Sequence, residues 1–221
     1  MPPIKEFAIV NQTANGAFQQ AFELLTASLL FFEGKEAGAL RTLCVVAAQS
    51  GYGASTTSLN LALTIASSSR RTLLIDGNLR APSLHQPFGL QAGPGLAEIL
   101  MGKALFRDAI KATRTSNLYF LPAGQAPGSP HALLQSAMLA AALEQVRTSY
   151  DFAVVDTPPA LGYPDALHIA RATDGALLVI PAEGAPRRAE VEVRRRLERA
   201  GVRILGVVVN RVHPKDALFT A

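Results

Sequence analysis

The stretch that decides the fold is Leu43-Cys44-Val45-Val46-Ala47-Ala48-Gln49-Ser50-Gly51-Tyr52-Gly53-Ala54-Ser55-Thr56-Thr57. It contains an apolar run typical of a buried strand, then a turn with two glycines, then the start of a helix-like segment. A phosphate-binding (Walker A) loop requires this order, because successive backbone N–H groups in the turn converge on a phosphate at the N-terminus of the helix. The stretch therefore predicts a strand, loop and helix built around a phosphate site.

The lysine that such a loop needs is missing. Gly51, Gly53 and the hydroxyl of Ser55 are present, whereas Ala54 stands where a lysine would reach the β- and γ-phosphates. For Tyr52, three roles remain open: filling the phosphate site, stacking on an aromatic group of a partner, or pointing to solvent. The predicted nucleotide-binding residues of the loop are Gly51, Tyr52, Gly53, Ala54, Ser55 and Thr56.

Beyond this stretch, short apolar runs alternate with helix-like segments. The predicted strands cover 43–48, 72–76, 118–121, 152–156, 176–180 and 204–209, and the predicted helices cover 18–32, 56–68, 95–100, 105–112, 132–148, 165–173 and 187–200. The strands are continuously apolar, which is typical of strands covered on both faces. We therefore predict a doubly wound α/β fold with a mostly parallel central sheet and helices on both faces. We expect residues 1–15 to form a flexible lead-in and residues 16–221 a single domain.

Composition narrows the function classes. Of the 221 residues, 49% are hydrophobic and 17% are charged, which argues against disorder. A net charge of +4 is mildly basic and does not indicate a dedicated nucleic-acid binder. The single cysteine, Cys44, falls in a predicted strand, which fits a reducing cytoplasm. No uncharged apolar run reaches the roughly 18 residues of a membrane helix, so we expect membrane contact to be peripheral or through a partner.

Two other predicted strands end in aspartate, at Asp76 and Asp156. In a parallel sheet, ligands bind at the carboxyl ends of the strands, and a carboxylate there can hold Mg²⁺ or accept a proton. Each aspartate alone has a simpler explanation as a strand-ending residue. Together with the loop, in this order, they form a strong signal. We therefore predict Ser55, Asp76 and Asp156 as Mg²⁺ ligands and the two aspartates as residual catalytic residues.

Other charged residues and the histidines each allow a structural explanation beside a functional one. Arg187–Arg199 holds six arginines and three glutamates, which suits docking on anionic lipid or an acidic partner. A solvated helix face with local ion pairs is the favoured explanation. Arg80 could supply charge to the loop, but a structural role is favoured. The four histidines, His85, His131, His168 and His213, lack metal-ligand spacing.

The chain resembles the bacterial tyrosine kinases linked to polysaccharide co-polymerases (CpsD/CapB-like), within the MinD/ParA-like deviant-Walker branch of P-loop proteins. The resemblance runs from about residue 18 to about residue 212. The motifs that carry it are Asp76-Gly77-Asn78-Leu79-Arg80-Ala81-Pro82-Ser83-Leu84-His85-Gln86-Pro87-Phe88-Gly89-Leu90, Asp156-Thr157-Pro158-Pro159 and Val207-Val208-Val209-Asn210-Arg211-Val212. It implies ATP and Mg²⁺ as ligands and adds Asn210, near the adenine in relatives, and Arg211 to the nucleotide-binding residues.

Departures from the family pattern are equally informative. Tyr52 replaces the usual acidic residue of the loop, and Asn78 replaces the second carboxylate of an Asp-x-Asp pair. The assembly motif of relatives, Glu-x-x-Arg-x-x-Arg, aligns with Gln20, Glu23 and Thr26. No tyrosine follows Tyr163 in this sequence, so we expect the tyrosine-rich tail that is phosphorylated in relatives to be lacking. Loss of the lysine predicts that ATP and Mg²⁺ bind weakly or not at all.

These features give three function hypotheses. The leading one is a degenerate, pseudokinase-like regulatory module of exopolysaccharide or capsule synthesis and export. It would dock on a membrane co-polymerase or chain-length determinant protein at the inner face of the plasma membrane. Assembly into a homo-oligomer is a further expectation, and we expect no binding to nucleic acid. The second is an active tyrosine kinase or ATPase with a compensating residue. The third is a MinD/ParA-like positioning ATPase, which is disfavoured because Gln49 replaces that family's signature lysine.

Overall fold

The structure is a computed structural model that describes residues 16–31, 40–184 and 187–212. Within these ranges, strands and helices alternate. In chain order the elements are α1 (Gly16–Phe31), β1 (Thr42–Ala47), α2 (Ala54–Ser67), β2 (Thr72–Asp76), α3 (Leu96–Leu100), α4 (Phe106–Ala109), β3 (Lys111–Ala112), β4 (Leu118–Leu121), α5 (His131–Leu134), α6 (Ala137–Ser149), β5 (Phe152–Asp156), α7 (Asp165–Ala172), β6 (Gly175–Pro181), α8 (Arg187–Arg199) and β7 (Ile204–Asn210). The predicted lead-in at 1–15 lies outside the described residues.

The strands of the described part form one sheet in the order β3-β4-β2-β5-β1-β6-β7. Neighbouring strands are parallel, except for the antiparallel pair β3 and β4. Every residue of β1, β2 and β5 is buried. Helices cover these central strands, which explains why the strands are apolar throughout rather than alternating. The predicted doubly wound, mostly parallel sheet is confirmed.

Two predicted helices differ from the observed ones: one is shorter and one is divided in two. The helix predicted over 105–112 ends at Ala109, because Ile110 is extended and Lys111 and Ala112 pair with β4. The helix predicted over 132–148 is split into α5 and α6 by Ser136, whose backbone is extended. In both places pairing or an extended residue overrides a local helical preference.

The outer helices differ in what they bury. Helix α1 packs on α2 and buries Phe22 and Leu29, while Leu24 on its other side is 43% exposed. Helix α8 buries only Val193 and Leu197, one turn apart, and its arginines are exposed except for Arg196, which is partly buried. None of the helices in the described ranges is long and apolar enough to cross a bilayer.

Candidate functional site

The loop between β1 and α2 has the shape that the sequence predicts. Gly51 and Gly53 have φ values of 83° and 96°, in the left-handed region that favours glycine. Gly53 is further constrained, because a Cβ there would clash with the side-chain amide of Asn210. Its carbonyl accepts the N–H of Thr57 at 2.8 Å, which begins α2. The first N–H groups of α2 therefore remain at the loop, where an anion would be stabilised.

The end of β7 holds this loop from the side. The Nδ2 of Asn210 donates to the carbonyl oxygen of Tyr52 at 2.9 Å. The Nη2 of Arg211 donates to the carbonyl oxygen of Gly51 at 2.5 Å. Asn210, at the end of β7, and the next residue, Arg211, thus contact the loop directly. The family resemblance assigns both residues to nucleotide binding.

A pocket of about 390 Å³ opens over the loop. Its volume lies within the range of about 300–1,000 Å³ that is usual for small-molecule sites. The lining brings together the predicted loop residues and both β7 residues. The lining residues are Ala47, Gln49, Ser50, Gly51, Tyr52, Gly53, Ala54, Ser55, Thr56, Asn78, Thr157, Pro159, Asn210 and Arg211. Arg211 is the one charged side chain in this lining of described residues.

Tyr52 does not point to solvent. It is 9% exposed and belongs to the buried apolar cluster of the fold. It also lines the pocket without closing it. Ala54 contributes only a methyl group, so the described lining has no positive charge at the start of α2.

The two predicted carboxylates lie behind the pocket rather than in its lining. Asp76 and Asp156 are partners in the β2–β5 register and are 1% and 0% exposed. The hydroxyl of Ser55 donates to Oδ2 of Asp156 at 2.7 Å. Asp76 accepts the backbone N–H groups of Ser83 and Leu84, both at 3.1 Å. The structure thus brings Ser55, Asp76 and Asp156 together.

Burial, followed by the charge of Asp76, raises the pKa of Asp156 from 3.8 to about 7, while hydrogen bonds from the hydroxyls of Ser55 and Ser58 act in the opposite direction. Desolvation and the neighbouring negative charge of Asp76 both disfavour the charged form of Asp156, which explains this direction. A hydroxyl and carboxylate oxygens are donors that Mg²⁺ prefers, and its charge would relieve the repulsion, so these residues fit the ion. Among the described residues, no cluster of three or more His, Cys, Asp or Glu side chains could hold a metal.

Asn78 and Arg80, which follow Asp76, have structural partners. The Oδ1 of Asn78 accepts the N–H of Ala81 at 3.2 Å. The Nε of Arg80 donates to Oδ2 of Asp165 at 2.6 Å, and the guanidinium lies 3.9 Å from the ring centroid of Tyr163. Arg80 is therefore held away from the loop, in agreement with the favoured structural explanation.

Sequence reasoning missed one residue of the pocket lining and one close contact between residues outside that lining. Thr157 lines the pocket and donates its hydroxyl to the carbonyl oxygen of Val45 at 2.8 Å, which ties β5 to β1. The histidines predicted to be scattered include one close pair, since the rings of His131 and His168 are 4.9 Å apart. These two residues are 37 positions apart in the chain, so no local pattern could reveal the pair.

Comparison with known proteins places this site in a family. A family model described as an AAA domain matches residues 40–186. The putative tyrosine-protein kinase CapB of Staphylococcus aureus is 32% identical over 203 residues, which covers 92% of this chain and 88% of that protein. The chain belongs to this family of bacterial tyrosine-protein kinases. Tyrosine-protein kinase CpsD of Streptococcus agalactiae serotype III is 34% identical over 189 residues, which covers 85% of this chain and 80% of that protein.

Solved structures agree with membership of this kinase family. The chimerical protein CapA2B2 superposes with a TM-score of 0.86 at 27% identity, over 95% of this chain and 92% of that chain. The septum site-determining protein MinD of Pyrococcus horikoshii, solved with Mg-ADP, has a TM-score of 0.68 at 27% identity, over 80% of this chain and 75% of that chain. The resemblance to tyrosine kinases with a MinD-like fold is confirmed.

Proposed function

We propose that this chain is a degenerate, kinase-like regulatory module of bacterial exopolysaccharide or capsule synthesis and export. In this role it docks on a membrane co-polymerase or chain-length determinant protein from the cytoplasmic side and binds Mg-nucleotide weakly or not at all. The observation that carries the proposal is the alanine at position 54, where a phosphate-binding loop needs a lysine. In this member of a kinase family, the loop keeps its shape but its lining has no cation at the start of α2.

The size of the missing interactions supports weak activity. A hydrogen bond to a charged group contributes about 1.5–3 kcal/mol, so losing the lysine weakens nucleotide binding by roughly one to two orders of magnitude. Loss of a preorganised charge at the transferred group costs about 10²–10³ in rate. Asn78 also lacks the basicity of the carboxylate that relatives carry at this position.

The remaining groups support a residual Mg-nucleotide site. We assign nucleotide contacts to Gly51, Tyr52, Gly53, Ala54, Ser55, Thr56, Asn210 and Arg211, and Mg²⁺ contacts to Ser55, Asp76 and Asp156. The Mg-ADP of the MinD structure supports this ligand class. Such a ligand would be positioned by the loop, the hydroxyl of Ser55 and the carboxylates of Asp76 and Asp156. Phosphoryl transfer would be inefficient, because the lysine charge that stabilises the transferred group is missing.

Docking on a membrane partner is supported by the kinship with CapB and by the altered surface of α1. That helix leaves Leu24 43% exposed and buries Thr26, which aligns with an arginine of the assembly motif in relatives. A buried threonine cannot replace an exposed arginine in an ion pair between copies, so we propose a heteromeric contact for this helix. Peripheral association through that partner would place the chain at the inner face of the plasma membrane.

The test is phosphorylation with radiolabelled ATP, using the purified chain together with the cytoplasmic segment of its membrane partner. We expect no tyrosine phosphorylation above that of an Asp156→Ala variant. Strong phosphorylation that Asp156→Ala abolishes would overturn the proposal. It would support the second candidate, an active tyrosine kinase or ATPase with a compensating residue, which is favoured only by the presence of Arg211 in the pocket.

A further inference from the structure

We infer that Arg211 supplies, from the end of β7, the positive charge that Ala54 does not, so that the pocket binds the diphosphate of a nucleotide at least as well as a triphosphate. This inference rests on the nucleotide site assigned above and names its ligand class, a nucleoside diphosphate. The principal phosphate contact would then come from the end of β7 instead of from the first turn of α2.

The electrostatics of the pocket point to this residue. Arg211 is the only charged side chain among the described lining residues, and the guanidinium lies against the first glycine of the loop. No carboxylate of the described chain lies within 4.0 Å of it as an ion-pair partner. A guanidinium has five N–H donors in a planar fork, and the structure assigns one hydrogen bond to it, with Gly51. Donors therefore remain for an anion, and the guanidinium is well suited to binding phosphate through two of them.

The backbone holds Arg211 in an uncommon conformation. Its φ is 58°, in the left-handed region that residues other than glycine rarely occupy. The neighbouring Asn210 pairs with Pro181, accepts the N–H of Ala182 at 2.7 Å and donates to the loop. These contacts fix the position from which the arginine side chain extends. Residues in such conformations concentrate at ligand sites, where surrounding contacts maintain them.

The ligand class follows from where the charge lies. A lysine in the first turn of α2 reaches the β- and γ-phosphates, so it favours a triphosphate. Arg211 instead contacts the loop at Gly51, three residues before Ala54. The γ-phosphate then brings additional negative charge with no additional protein cation in the lining. ADP should consequently bind at least as tightly as ATP.

A purely structural role for Arg211, as a clasp on the carbonyl oxygen of Gly51, makes a different prediction. The clasp needs a hydrogen-bond donor but no charge. Arg211→Gln keeps a donor and removes the charge, whereas Arg211→Lys keeps the charge and removes the planar fork. Arg188→Ala is a matched control, because it removes one exposed arginine on α8, away from the pocket lining.

The experiment is titration of the purified full chain with ADP and with ATP, each with Mg²⁺. Binding is monitored through the NMR chemical shifts of the loop amides. We expect ADP to bind at least as tightly as ATP, Arg211→Gln and Arg211→Ala to weaken ADP binding about 10- to 100-fold, Arg211→Lys to retain part of it, and Arg188→Ala to change nothing. The melting temperature without ligand identifies any variant that does not fold, and the Gln and Lys variants then provide the comparison.

Three results would overturn the inference: wild-type affinity in Arg211→Gln, a clear preference for ATP, or no ADP binding to the wild-type chain. The last result would leave the regulatory proposal standing, since that proposal allows for lost nucleotide binding. Conversely, strong tyrosine phosphorylation that depends on Asp156 would overturn the regulatory proposal and leave the charge of Arg211 to be judged by the titration alone.

Discussion

Two buried aspartates, Asp156 and Asp165, have opposite electrostatic surroundings. Both are 0% exposed. Asp165 receives two hydrogen bonds from the guanidinium of Arg80, at 2.6 and 3.2 Å. Asp156 has the hydroxyls of Ser55 and Ser58 and a second carboxylate, Asp76, beside it. In the described part of the chain, the buried charge of Asp165 is paired with a cation, whereas no ion pair joins Asp156 to a cation at the site to which we assign Mg²⁺.

The largest effect should come from breaking the paired site. Arg80→Ala leaves the charge of Asp165 buried and unpaired, which should lower the free energy of unfolding by about 3–5 kcal/mol. Urea denaturation measures this. The control is Arg107→Ala, whose pair with Asp108 is largely exposed and should contribute less than about 1 kcal/mol. Equal losses in the two variants would contradict the contrast between the two aspartates.

Restoring a cation beside the unpaired site should have the next largest effect. Ala54→Lys should tighten Mg-ATP binding about 10- to 100-fold, because it returns a charged hydrogen bond to the phosphates. Calorimetric titration measures the change. Ala54→Met, which adds length without charge, should show no gain. If the methionine variant gained as much as the lysine variant, charge would not be the missing element.

Removing the unpaired charge should stabilise the fold. The pKa of Asp156 is raised from 3.8 to about 7, so the folded chain binds more protons than the unfolded chain in this range. Stability therefore falls as the pH rises from about 4 to about 7, and Asp156→Asn should remove this dependence and add about 1–2 kcal/mol at pH 8. Thermal unfolding at several pH values measures both effects. Asp165→Asn should instead destabilise the chain, and a loss of stability at pH 8 in Asp156→Asn would refute the contrast.

The smallest effect concerns the histidine pair, a third site that is only partly buried. Burial lowers the pKa of His168, and the proximity of His131 lowers it further. The folded chain therefore favours the neutral imidazole, and stability falls as the pH drops below 6.5, the ordinary pKa of the group. The change should be below about 1 kcal/mol. His168→Gln should flatten the stability profile between pH 7 and pH 5, and an unchanged slope would speak against this origin.

Local patterns predicted much of the fold and of the site. The apolar runs predicted the six longer strands, because strands buried on both faces are mostly apolar. The reason does not extend to β7, where Val207 and Val209 are about half exposed. The glycines, Ser55 and the two strand-ending aspartates predicted which residues meet at the carboxyl ends of the strands, because phosphate and Mg²⁺ sites require residue types at fixed spacing. That these residues bind phosphate and Mg²⁺ stays a prediction. The short strand β3 was missed, since two residues, Lys111 and Ala112, are too few for a periodic pattern.

The sequence by itself determined the kind of sheet, the location of the loop and the absence of a lysine at residue 54. Only the tertiary structure decided which charges meet. Three such contacts join residues that are far apart in the chain: Arg80 with Asp165 (85 positions), the tilted rings of His131 and His168 (37 positions), and Arg211 with Gly51 (160 positions). Hydrogen bonds and ion pairs act over a few ångströms of space, whatever the separation along the chain, so such contacts leave no periodic signal in the sequence.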